Sequence, residues 1–296
     1  MIAQAVDLRT VALASAAAAA WGANLALALS GGSLWLSLPL GAFASVAMLI
    51  VLHEAAHGSA ARSRILNGLV GRMAMPFVSP YCSFPTFRFL HGQHHGNTND
   101  GAETDPDHFV TDAPTWQLPL RWIFFDVGYL NFYLRRLRTR PLGEVLESTA
   151  CALAFDAVVV WVLISGSGSE LLLAWLLPQR VAFLAIGWGF AWLPHHGLEG
   201  AEAGEEARKT RARIGMEWLL TPLFFAQNYH LLHHLHPRIP FHRYLKVWRE
   251  REEQILAREP VLVTVTGQAL SGVDYLERYA ASERAVSASR GTPISS

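Results

Sequence analysis

The chain has 296 residues, 51% of them apolar and 16% charged, against the roughly one-quarter charged share of a soluble domain. Basic and acidic residues balance at 24 each, which removes the electrostatic case for a nucleic-acid partner. Cys82 and Cys151 are too few for a disulfide framework and lack the spacing of a thiolate zinc site, so attention falls on the 13 histidines.

A bilayer core about 30 Å thick calls for about 20 apolar helical residues. Residues 11–29 and 34–52 contain no ionisable side chain and are separated by Ser30, Gly31, Gly32 and Ser33, which predicts a hairpin of two crossings. A cleaved leader is the alternative for the first run; Asp7 and a run longer than a signal core argue against it. The helix continuing from the second crossing places His53 and His57 on one face.

A segment from 53 to 148 follows. His91, His94 and His95 share one helical stripe within it. Its aromatic stretches, Met73 to Phe89 and Trp116 to Tyr133, fit the membrane interface. Arg135, Arg136, Arg138 and Arg140 suit lipid headgroups first and an acidic electron carrier second.

The third apolar run, 149–165, is broken by Asp156, and the fourth, 171–194, by Pro178 and Arg180. Either Pro178 kinks one long helix, or 171–177 is a re-entrant piece with Arg180 snorkelling at the far interface. His195 and His196 follow the fourth run. Residues 198–213, small and charged, read as a solvated helical excursion. His230, His233 and His234 repeat the spacing of the second cluster, and the tail 280–296 has the composition of a disordered segment.

The presumed external turns, 30–33 and 166–170, hold no basic residue. Four crossings then put both termini, residues 53–148 and residues 195–279 in the cytoplasm. The predicted architecture is an all-α integral-membrane domain over residues 1–279, with a cytoplasmic helical cap carrying a metal site.

The clusters offer His53, His57, His91, His94, His95, His230, His233 and His234, plus His195 or His196. That exceeds the four ligands of one zinc, so two metals are the simpler count. Imidazole suits Zn, Cu, Fe and Ni alike; a ligand-rich site with a position left for dioxygen favours redox iron. Glu54, Asp105, Asp107 and Asn228 are candidates for orienting the imidazoles. His108, His236 and His242 read as ordinary core or solvated residues. A rival reading takes His53-Glu54-Ala55-Ala56-His57 as the H-E-x-x-H of a zinc metalloprotease. That reading needs a further acidic ligand, for which Asp156 lacks the Leu-Asp-Gly setting, and it leaves the other clusters unemployed.

HEAAH at 53–57, HGQHH at 91–95 and HLLHH at 230–234 resemble the three histidine boxes of the integral-membrane fatty-acid desaturase and hydroxylase family, over roughly residues 34–250. Asn99-Asp100, Asp105 to Val110, Leu193-Pro194-His195, Gln227 to His230 and Pro237 to Pro240 with Tyr244 are similar to the desaturase-type β-carotene hydroxylases. The resemblance implies two Fe ions, O2 as co-substrate, one histidine ligand outside the boxes, for which His195 is the choice, and a small redox protein such as ferredoxin as electron donor. It implies hydroxylation of carotenoid β-rings within membrane lipids. Acyl-lipid desaturation and carotenoid ketolation are alternatives on the same scaffold.

Overall fold

The computed structural model describes residues 5–199 and 205–280. They form two compact units, one of residues 5–199 with Pro237–Pro240 and the other of residues 205–236 with 241–280. The expected tail lies, beyond residue 280, outside the described residues.

Among the described residues, four helices of the first unit are long and apolar enough to cross a membrane: Leu8–Leu29, Leu34–His57, Leu142–Ile164 and Gly168–His195. The first begins three residues before the predicted run because Asp7 caps it, its carboxylate accepting from the Thr10 amide at 2.8 Å. The second runs on past its apolar core to His57 and stops at Gly58, whose φ of 73° supplies the left-handed residue that closes a helix. The third buries none of its residues and exposes Leu153, Val158, Trp161 and Ile164. In water such a face would be destabilising; against lipid it costs nothing.

The fourth crossing is one continuous helix, so the re-entrant alternative falls away. It widens into π-turns at Leu172–Leu176 and Gly187–Trp192. Each lies just before a proline, Pro178 and Pro194, whose ring clashes with the carbonyl four residues back and which has no N–H to give it. Arg180 does not snorkel outward. Its guanidinium bonds both oxygens of Asp126, at 2.9 and 2.8 Å, and the Ile123 carbonyl.

Small and amide side chains set the packing of these crossings. Asn24 donates to the Ala174 carbonyl at 2.6 Å and Gln179 to that of Val78 at 2.5 Å. A Cβ at Gly41 would sit 2.7 Å from Pro178, so the second and fourth crossings touch there backbone to ring. Between the two hairpins run the helices Arg64–Val78, Phe84–Gly96 and Phe125–Arg135.

The second unit contains an element that periodicity over longer windows did not announce, a three-stranded sheet of β1 (Arg211–Ile214), β2 (Val261–Thr264) and β3 (Ala269–Leu270). β1 pairs parallel to β2, with Arg211 opposite Val261, and β2 antiparallel to β3. This corrects the helical reading of the end of 198–213. Ala212 and Ile214 are buried and Arg211 and Arg213 half-buried, an alternation of period two that only a strand satisfies. The helix His230–Leu235 contributes Leu231 and Leu232 to this unit's buried core, which also holds Tyr229, Tyr244 and Trp248.

Candidate metal centre

The hairpin arrangement brings the histidine-bearing ends of the second and fourth crossings to one level, where the helix Phe84–Gly96 carries the second box across them. Ser83 starts that helix by accepting from the Thr86 amide, and its hydroxyl also bonds Ser148 of the third crossing at 2.8 Å. The register of His91, His94 and His95 is therefore tied to the membrane helices.

His53, His57, His91 and His95 converge, each offering a ring nitrogen, with all of these within 4.8 Å of one another. His57 Nε2 and His91 Nε2 stand 2.7 Å apart, and the ring centroids of His53 and His91 are 4.7 Å apart. A common ion about 2.1 Å from each nitrogen needs donors within roughly 4.2 Å of one another, a span close to the 4.8 Å that bounds these atoms. The protonation also fits. Burial, reinforced by the neighbouring imidazoles, pushes His95 down to about 2 and His91 well below its ordinary value, so both present neutral lone pairs.

His94 and His195 form a second station, centroids 4.7 Å apart and both buried. His94 Nδ1 contacts Asp105 Oδ1 at 3.0 Å, with Asp107 Oδ2 at 3.6 Å. Burial alone would lower this imidazole, but the carboxylates of Asp107 and Asp105 outweigh it and raise His94 to about 9. With Nδ1 so engaged, Nε2 is the nitrogen directed at a ligand. Asp105 also accepts from the amides of Asn99 and Asp107, which locks the loop after the second box. His196 turns away: its ring stacks on Trp192 at 3.7 Å, with Nδ1 on the Trp192 carbonyl. Of the two, it is His195 that faces His94.

Glu54 is buried beside these rings. Its carboxylate accepts from Ser59 at 2.7 Å and stands 3.7 Å from His53 Nδ1, so it closes the turn after the helix. In the second unit, His230, His233 and His234 occupy one short helix, with His230 Nε2 and His234 Nε2 3.1 Å apart. Gln227 Oε1 holds His230 Nδ1 at 2.8 Å and the Tyr244 hydroxyl holds His233 Nδ1 at 3.1 Å. Asn228 instead reaches the Arg213 carbonyl of β1 at 3.4 Å.

Three supporting residues, Gln227, Tyr244 and Tyr129, are not among the orienting candidates read from the sequence. Gln227 sits three residues before His230, a spacing that puts both on one face of a turn and was available to be read. Tyr129 was not: its hydroxyl donates to Asp107, the carboxylate facing His94, from a helix 22 residues further along. Among the described residues Asp156 joins no group of metal-capable side chains, and it lies exposed on the third crossing.

The chain matches the fatty acid desaturase family model over residues 30–266. It belongs to the fatty acid desaturase family. Within that family it is 30% identical over 202 residues to a β-carotene ketolase of Paracoccus sp. (strain PC1), covering 67% of this chain and 72% of the ketolase. It is 26% identical over 240 residues to a chloroplastic omega-6 fatty acid desaturase of Glycine max, covering 70% of this chain and 54% of that protein. An sn-1 oleoyl-lipid 12-desaturase of Anabaena variabilis is 24% identical over 242 residues, 75% of this chain and 57% of the relative. The chain thus spans little more than half of these acyl-lipid desaturases. Family members are oxidoreductases, and this desaturase-family chain carries histidine clusters able to hold a metal on an integral-membrane helical scaffold.

Proposed function

We propose that this desaturase-family protein is an O2-dependent di-iron monooxygenase that hydroxylates the β-ionone rings of carotenoids, with both termini and the metal site in the cytoplasm. The observation that carries the reading is the meeting of His53, His57, His91 and His95 at the ends of membrane crossings. A nitrogen-only set of imidazoles, in which His91 and His95 are held neutral by desolvation and their neighbours, suits a redox ion. The proposed ligands are those four with His94 and His195, joined by His230, His233 and His234 on the strength of their spacing and of the Nδ1 partners that leave Nε2 for a metal.

Two irons, when bound, supply the activation of O2 that cleavage of an unactivated C–H bond requires. The chain's own residues do the rest. Asp105 and Asp107 fix the His94 ring, Tyr129 fixes Asp107, and Gln227 and Tyr244 fix the third box. Burial of His94, His195 and His233 keeps water from reactive species. Electrons come from a small redox protein; one related desaturase of Nostoc is described as ferredoxin-dependent.

The Paracoccus relative favours a second reading, carotenoid ketolation, and the plant and cyanobacterial relatives an acyl-lipid one. Expression in a carotene-producing host decides among them. A hydroxylated ring product supports the proposal; a ring ketone, or new acyl double bonds with untouched carotene, replaces it. The zinc-protease reading would require oxygen-independent activity lost in Glu54→Gln.

A further inference from the structure

Between the second-box helix and Phe125–Arg135 lies a cavity of about 220 Å³ whose lining surface is mostly apolar, although Thr86, Asp126, Ser148 and Thr149 also reach it. Its inner wall backs onto the imidazoles. Leu49 stands one turn before His53, Leu90 adjoins His91, and Phe87 stacks on the His91 ring at 5.6 Å with planes 9° apart. Tyr129 lines the same cavity with its ring while its hydroxyl holds Asp107. The opening is marked by residues that both line the cavity and stand exposed: Leu130, Leu134 and Leu137, at 50%, 54% and 36%. They lie beside the start of the third crossing, where Leu142 and Leu146 are exposed to the lipid.

The charge inside is already balanced. Asp126 is held by the Tyr81 hydroxyl and by Arg180, so no unpaired cation awaits a carboxylate headgroup. The volume falls below the roughly 300 Å³ at which pockets begin to enclose a drug-sized ligand.

We propose that this cavity takes one uncharged end group of a lipid-soluble substrate, entering sideways from the bilayer past Leu134 while the remainder of the molecule stays in lipid. The inference rests on the proposed function and narrows it. An end group held here comes to the far side of Phe87, which stacks on His91, whereas mid-chain desaturation needs a tunnel that also houses the chain beyond the reacting carbon.

The test uses the full-length, metal-free chain in phosphatidylcholine nanodiscs, titrated with β-carotene and read by quenching of tryptophan fluorescence. Ala152→Phe fills the interior and Leu134→Phe narrows the mouth; both residues line the cavity. Each is expected to weaken binding at least tenfold, while Leu120→Phe, exposed and outside the cavity, leaves it unchanged. Leu134 is exposed, so its variant keeps the test open should Ala152→Phe fail to fold. Affinity within twofold of the parent in Leu134→Phe overturns the proposal. Failure of the proposed function is separable: an iron-loaded parent that turns over neither carotene nor acyl lipid sinks that reading, while binding lost only in the cavity variants still supports the cavity.

Discussion

His94 is held from behind by two carboxylates, and what those carboxylates do is set by their geometry rather than by their charge alone. Asp105 meets Nδ1 at 3.0 Å and Asp107 is steadied by Tyr129. Loss of such an orienting partner typically weakens metal binding 10–100-fold. Asp105→Asn is accordingly expected to lower iron affinity by about that range, measured by competition with a chelator, while His91→Ala abolishes turnover and lowers iron content. The metal-free protein has its own pH signature. His91 and His95 are held neutral when folded, but unfolded imidazoles take up protons near 6.5, so the unfolded state binds more protons and stability falls as pH drops below about 6.5. His94 acts oppositely: raised to about 9, it stabilises fully below about 6.5, and that contribution is lost as pH rises through about 9. The metal-free melting temperature should therefore peak near pH 6.5; a maximum above pH 9 or below pH 5 would contradict this account.

Helices are positioned here by a few close contacts. At Gly41 a methyl group would press on Pro178 and Asn24, so Gly41→Ala is expected to cost about 1–3 kcal/mol through overpacking, read as a lower melting temperature in detergent. The Asp126 and Arg180 pair joins the helix Phe125–Arg135 to the fourth crossing, its side chains only 11% and 17% exposed. Removing one partner strands a charge, and Asp126→Ala should destabilise by about 3–5 kcal/mol, with much of the loss recovered in Asp126→Leu/Arg180→Met. Equal stability of the single and double variants would show that the pair does not fix the helix. The π-turns before Pro178 and Pro194 carry the fourth crossing onward to His195. A uniform 3.6-residue repeat misses this, because the wider turns shift every side chain beyond them around the axis.

For the molecule as a whole, the proposal makes all three boxes contributors to one stoichiometry. Iron analysis of the purified chain should give two ions, and His233→Ala should give fewer while retaining the helical spectrum; two ions in that variant would remove the third box from the ligand set. The four apolar runs and the histidine spacings were legible from the chain because a bilayer and a helix each impose a period, one of length and one of 3.6 residues. The small sheet was not legible, since β1 and β2 lie 50 positions apart and β1 spans only Arg211–Ile214. Four residues hold too little alternation to declare a strand against a charged, helix-like neighbourhood. Sequence by itself determined the four apolar helices, the histidine clusters and the family, because these depend on residue type and local period. Which of two adjacent histidines turns inward, that Tyr129 braces Asp107, that Arg180 pairs with Asp126, and that an apolar cavity adjoins His91 were decided only by tertiary structure. Each depends on where distant segments meet, and no local pattern encodes that meeting.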